Sequence, residues 1–308
     1  MSTAQLVSSF SEAELYLIEL PLERQGFHKF IGSWLLRSED SQILIDVGPA
    51  VALPQLLAAL QDLGVSQLDY ILLTHIHLDH AGGVGELLQY FPEARVLTHP
   101  KARQHLQSPT SLWEASVRVL GDLAYFYGPI KPVSPQNFVD QVPQIKTIET
   151  PGHAPHHLSF LWRNFLFLGE AAGVYLDLDH SFYLRPATPP KFFLETAIGS
   201  LDGLLKLVDD ETSICFGHFG WVPGAKRVLK LARQQLYRWE EIISAVCTGF
   251  QVREEEELLV LLMQELLNRD PLLESFYRLD LDIQQRERYF LSNSLKGYLD
   301  YLRSRLVR

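Results

Sequence analysis

Residues 68–83 read LDYILLTHIHLDHAGG. The opening LDYILL is an apolar run of the kind expected for a strand buried on both faces. Three histidines and an aspartate then fall between His75 and His80, and Gly82 and Gly83 follow. If the extended geometry persists, His75 and His77 point to the same side, because side chains alternate along a strand. Asp79 and His80 come where the chain turns. The cluster would then sit at the carboxyl end of a central strand, where open α/β sheets form their functional crevices. The small Ala81-Gly82-Gly83 segment would let backbone pack close beneath these side chains.

Strand and helix patterns alternate on either side of this stretch. ELYLIEL (14–20), SWLLR (33–37) and QILIDVG (42–48) are short apolar runs bounded by turn residues. PQLLAALQDLG (54–64) has helical spacing and ends in Gly64. GELLQYF (85–91) reads as a helix and ARVLTH (94–99) as a strand. Residues 111–128 read as helix and 129–138 as a proline-rich loop. Strand patterns return in QIKTIET (144–150), HLSFLW (157–162), FLFLG (165–169) and TSICFG (212–217), with a tight hairpin at Trp162–Phe165. KFFLETAIGSLDGLLKLV (191–208) puts its apolar residues on one helical face. The fold class is therefore α/β (α+β) in layers. From residue 224 onward the pattern is helical. EEEELLVLLMQELLN (254–268) opens with acidic residues suited to a helix N-terminus. The expected division is residues 1–223 as one domain carrying the His-rich loop and 224–308 as a helical C-terminal region. The apolar stripe of that region (Leu258, Leu259, Leu262, Leu266) needs a partner surface, so the region is expected to cap a pocket or to build a homodimer interface.

More metal-binding side chains recur at strand ends. His153 follows QIKTIE, Glu170 ends FLFLGE and His218 follows TSIC, and each comes directly after a glycine. A metal site needs unprotonated nitrogen and oxygen donors converging on one point. Four strand ends bearing such donors point to a metal centre.

The order H-x-H-x-D-H (75–80), then G-H (153), G-acid (170) and G-H (218) resembles the metallo-β-lactamase superfamily of metal-dependent hydrolases over about residues 14–222. LIDVGP (44–49) fits the same pattern, and the resemblance makes Asp46 a supporting residue behind the ligands. TPGHAPHHLSF (150–160), GEAAGVY (169–175) and RPATPPKF (185–192) look most like a subgroup of broadly described hydrolases. The resemblance implies an αββα sandwich with the site at one edge. By position, His75, His77 and His153 would bind a first metal, Asp79, His80 and His218 a second, and the acid at 170 would bridge them. The family commonly carries aspartate there. This chain has Glu170, one methylene longer, and retained ligation is expected because the other ligands are present. The implied chemistry is hydrolysis of a small ester, thioester or lactone by a metal-activated hydroxide, with Asp79 catalytic as well as ligating. Two divalent ions are expected, zinc first, with iron or manganese as alternatives.

Composition narrows the partners. The 308 residues carry a formal net charge of −10, so no basic face is expected for nucleic acid or anionic membrane. Cys215 and Cys247 are the only cysteines, too few for a disulfide framework. The N-terminal residues lack the pattern of a signal peptide, and no apolar run approaches a transmembrane length. A cytoplasmic protein with a small-molecule substrate is expected. Weaker substrate-contact candidates are Tyr183, Arg185 and Trp221. His156 and His157 are expected in structural hydrogen bonds, Asp177, Asp179 and His180 in a solvated loop, and His99 and His105 at the surface. Two other function classes compete with the hydrolase: an iron-dependent oxidoreductase on the same scaffold, and a weakly catalytic, metal-bound binding or regulatory protein.

Overall fold

The structure, a computed structural model, describes residues 3–249 and 254–306. Among these residues, one sheet runs in spatial order β1 (Ala4–Ser9), β2 (Ala13–Glu19), β3 (Gly32–Ser38), β4 (Gln42–Ile45), β5 (Tyr70–Leu72), β6 (Arg95–Leu97) and β7 (Phe138–Val139). Neighbours are antiparallel from β1 to β4 and parallel from β4 to β7. Parallel pairing needs crossovers, and helices supply them. These are α1 (Leu53–Asp62), α2 (Leu78–Ala81), α3 (Val84–Tyr90), α4 (Pro100–Gln107), α5 (Thr110–Leu120) and α6 (Asp122–Tyr127).

Then come β8 (Lys146–Glu149), β9 (Leu158–Trp162), β10 (Phe165–Gly169), a separate hairpin of β11 (Val174–Leu178) and β12 (Ser181–Arg185), α7 (Leu194–Leu205), β13 (Ser213–Phe216) and β14 (Trp221–Pro223). The second sheet has the order β14-β13-β10-β9-β8. Helices α8 (Ala225–Gly249), α9 (Glu255–Arg269) and α10 (Leu281–Leu306) complete the chain.

Alternation along the strands makes the layers. Trp34 and Leu36 of β3, Ile43 and Ile45 of β4, and Phe165 and Phe167 of β10 meet in the core between the sheets. Leu35 and Leu44 face the opposite way, into a core with α1 and α3, whereas Leu166 and Leu168 join one with α7 and the tail. The result is the αββα sandwich. Trp34 Nε1 donates to Phe216 O across the sheets at 2.9 Å. The stripe of α9 lies within its own chain: Leu259, Leu262 and Leu266 share one core with β10, β13 and α7.

Several segments differ from the sequence expectation. Residues 175–186, read as a solvated loop, form the β11–β12 hairpin. Only its tip, with Asp177, Asp179 and His180, is exposed, while Tyr175, Leu176, Tyr183 and Leu184 are buried. The polar tip hid the alternation on its flanks. β1 pairs at the sheet edge with a sequence, AQLVSS, that is half polar and carries little strand signal. The helix expected over 111–128 is broken at Gly121.

Candidate metal centre

β5 ends at Leu72, and the chain runs through an irregular segment into the single turn of α2. His75 and His77 therefore lie beyond the strand rather than on its extension. They still converge, with His75 Nε2 3.1 Å from His77 Nδ1. His77 caps α2, and its carbonyl accepts from His80 N at 3.0 Å, which folds His80 back toward the strand end. Gly82 closes this turn against the β4 loop: a Cβ there would sit 2.3 Å from Leu78 O and 3.0 Å from Pro49 Cα. The expected close packing beneath the donors is thus a steric requirement at this position.

Asp46, at the end of β4, is buried and has a left-handed φ of 54°. Its carboxylate accepts from Thr74 N (2.8 Å), Thr74 Oγ1 (2.8 Å) and His80 Nδ1 (2.9 Å). One side chain therefore orients the loop and fixes which nitrogen of His80 faces the centre. Thr74 Oγ1 also lies 3.0 Å from His75 Nδ1.

The strand ends gather two donor groups. His75, His77, His153 and Glu170 form one, and Asp79, His80 and His218 the other; within each, the ligand atoms lie within 4.8 Å of one another. In the first group, His153 Nε2 is 2.9 Å from His77 Nδ1 and 2.9 Å from Glu170 Oε2, and His75 Nε2 is 3.3 Å from Glu170 Oε2. Four donors about 2.1 Å from a tetrahedral zinc would stand about 3.4 Å apart, close to this spacing. In the second group, His218 Nε2 is 3.9 Å from Asp79 Oδ2. Glu170 lies between the groups. Its Oε1 is 3.2 Å from His218 Nε2, and its Oε2 is 3.5 Å from His80 Nε2.

The residues fit a cation on two further grounds. His80 Nε2 is buried and has no hydrogen-bond partner among the described residues. Burial, reinforced by neighbouring histidines, holds the pKa values of His75 and His77 well below that of a free histidine, so their lone pairs are available at neutral pH. Burial pulls His80 the same way, but Asp46 and Asp79 outweigh it and hold its pKa well above the usual value. A proton on His80 and a cation at its Nε2 answer the same negative field. Glu170 is only 6% exposed. Burial alone would raise its pKa, yet His153 and His218 keep it well below the usual carboxylate range.

The remaining predicted residues are placed as follows. His157 is buried: its Nδ1 lies 2.8 Å from Thr150 Oγ1, and its Nε2 accepts from Glu170 N at 3.1 Å. His156 Nε2 accepts from Ile76 N at 3.4 Å. Burial, with smaller contributions from His153 and His99, lowers the pKa of His156 to about 4. Tyr183 and Arg185 are both buried, and Arg185 Nε donates to Glu287, so its guanidinium is engaged within the protein. Trp221, on β14, is 38% exposed. His99, expected at the surface, is buried as the cap of α4, whereas His105 is exposed. Sequence reading missed Thr74 and Thr150. Their only signal is a threonine at each strand end just before the histidines.

Comparison with known proteins agrees with this geometry. Residues 30–218 match the family model of the metallo-beta-lactamase superfamily. The metallo-beta-lactamase fold-containing protein ST1585 of Sulfurisphaera tokodaii is 34% identical over 191 residues, covering 58% of this chain and 70% of that protein. A hydroxyacylglutathione hydrolase of Aeromonas hydrophila is 35% identical over 137 residues, but the match spans only 44% of each chain. The structure of TTHA1429 from Thermus thermophilus superposes with a TM-score of 0.65 over 94% of this chain and 93% of that one, at 21% identity, a likeness of fold. Proteins of this superfamily are mostly metal-dependent hydrolases. The chain belongs to the metallo-beta-lactamase superfamily.

Proposed function

We propose that this protein is a hydrolase that holds two divalent cations and cleaves a small thioester, with esters and lactones as the neighbouring substrate classes. The observation that carries the reading is Glu170: one oxygen faces His75 and His153 and the other faces His218, so a single carboxylate is shared by both donor groups. His75, His77 and His153 would hold one cation, Asp79, His80 and His218 the other, and Glu170 both. Cations held there would lower the pKa of a bound water and polarise the substrate's carbonyl oxygen. The protein's own contribution is orientation. Asp46 and Thr74 set the rings of His80 and His75, and His157 holds the Glu170 backbone. Asp79, 13% exposed where Glu170 is 6%, would be the carboxylate more open to an attacking water, and would orient it as well as hold the cation. The preference for a thioester rests on the similarity to a hydroxyacylglutathione hydrolase. Zinc is the first choice for a site rich in imidazole.

Protein purified without chelator should carry about two divalent ions per chain. It should turn over at least one member of a panel of acyl-thioesters, esters, lactones and phosphodiesters, and lose that activity in chelator. Absence of bound metal would overturn the proposal. Iron as the bound metal, with no turnover across the panel, would favour an oxidoreductase.

A further inference from the structure

His153 and His218 come one from each donor group, and both present Nε2 to the centre. Each has its other nitrogen against a backbone carbonyl: His153 Nδ1 lies 2.9 Å from Ala187 O, and His218 Nδ1 lies 3.3 Å from Phe30 O. Neither carbonyl belongs to a regular strand. Ala187 lies between β12 and α7, and Phe30 lies at the end of the connection from β2 to β3. Both segments are held by one face of α10.

On the Phe30 side, Arg286 Nη1 donates to Gly26 O at 2.6 Å. The Arg286 guanidinium lies 4.0 Å from the centroid of the Phe30 ring, and that ring stacks on the His218 imidazole at 4.1 Å and 12°. The tail thus reaches a candidate ligand through a continuous stack. On the Ala187 side, Ser294 Oγ donates to Pro186 O at 3.0 Å, and Thr188 Oγ1 donates to Ser294 O at 3.2 Å. Gly297 lets the helix approach this segment, since a Cβ there would stand 1.9 Å from Thr188 O. Buried Glu287 joins the two sides by accepting from Arg286 Nε at 3.0 Å and from Arg185 Nε. Arg286, Phe290 and Ser294 follow at four-residue steps, which places them on one face of the helix.

We propose that α10 positions the metal centre: Arg286, through Phe30, sets the ring of His218, and Ser294, through the Pro186–Thr188 segment, sets that of His153. The inference rests on the two-cation reading above. Groups that orient a ligand histidine tune the affinity of its metal, by about 10- to 100-fold in other proteins. A side chain that serves only stability would not distinguish between two ions.

The test is cobalt(II) titration of the full chain, with chelator competition and absorption spectra, and thermal unfolding in chelator as the control for folding. Arg286→Met should weaken one ion about 10- to 100-fold and leave the other at the parent affinity. The spectrum of its single-ion form should match that of His218→Ala. Arg286→Lys should restore much of the loss. Ser294→Ala should weaken the other ion, with a spectrum like that of His153→Ala. Phe30→Leu leaves α10 intact and must reproduce the Arg286→Met pattern, which keeps the test valid if the arginine variant fails to fold. Two ions held at parental affinity in Arg286→Met, or in Phe30→Leu where the arginine variant does not fold, would overturn this inference alone. Equal weakening of both ions in step with lost stability would do the same. A parent that binds no cobalt overturns the hydrolase reading and this inference together.

Discussion

Four of the five histidines of the centre divide into two pairs according to what grips their outer nitrogens, and His77 Nδ1 faces one member of each pair. His75 and His80 are held by side chains at the parallel end of the first sheet, Thr74 and Asp46. His153 and His218 are held by main-chain oxygens of Ala187 and Phe30, in segments that α10 braces. Half of the site is built into a sheet, and half leans on the end of the chain. A strand end can position a side chain directly, because both its neighbours are tied into the ladder. The Ala187 segment lies outside any strand and leans on α10, whereas Phe30, whose carbonyl also accepts from Phe219 N at 2.9 Å beside the Ile31–His218 bridge, is tied to the backbone as well as braced by α10.

Removing the tail takes the brace away altogether. Truncation after Gly224 discards Trp239, Leu262, Phe276, Leu295 and Tyr298, all fully buried against the outer face of the second sheet. Losing one such side chain costs roughly 2–5 kcal/mol, against about 5–15 kcal/mol for a whole domain. The truncated chain should be insoluble or lack a cooperative thermal transition. A soluble truncation with full metal content would show that the second pair of histidines needs no brace.

The acid between the pairs is common to both. Glu170→Gln keeps the shape but removes the negative charge that two cations would share, so at least one ion should be lost. Glu170→Asp should keep more metal, since it preserves the charge at the cost of one methylene of reach. Elemental analysis of the two variants beside the parent decides the matter. Equal metal content in Glu170→Gln and parent would mean that the carboxylate between the groups is not a ligand.

The sheet-built half was legible in sequence, and the tail-braced half only in part. His75, His77, Asp79 and His80 fall within one short segment after an apolar run, so their proximity is local and can be read by eye. His153, Glu170 and His218 were found because each follows a strand pattern and a glycine. What braces them was not legible. The partners of Arg286 lie at Gly26 and His28, 260 and 258 residues away in sequence, and no local pattern encodes such a pairing. Arg185 illustrates the same limit. Beside RPATPP it reads as a substrate contact, yet it meets Glu287 in the interior. The exposed tip of β11–β12 likewise masked a hairpin whose inward positions are buried.

A smaller effect is expected at the hub of the sheet-built half. Asp46→Asn suits the left-handed backbone, which asparagine tolerates. It removes the charge and one acceptor from a carboxylate that receives Thr74 N, Thr74 Oγ1 and His80 Nδ1. A buried donor left without its partner costs about 1–3 kcal/mol, so the unfolding free energy should fall by that amount, seen as a lower denaturant midpoint with the slope unchanged. Metal should be lost first from the group containing His80. No change in the midpoint would mean that the first pair is not held as the hydrogen bonds indicate.

The smallest effect is expected at Trp221. It lies three residues beyond His218 on the edge strand β14, paired with Cys215, and 38% of its surface is exposed. A large aromatic this open adds little to the core, and surface substitutions of this kind usually stay within about 0.5 kcal/mol. Trp221→Ala should therefore leave the melting temperature and the metal content close to those of the parent. Because the ring is open to solvent, a change in kinetics with metal content unchanged would belong to substrate. A raised KM with kcat unchanged would make Trp221 a wall of the binding site, since a contact made equally in the ground and transition states would be lost. Unchanged kcat and KM would mean that Trp221 does not touch substrate. A metal content that falls in Trp221→Ala would show that β14, and not α10 alone, holds His218 in place.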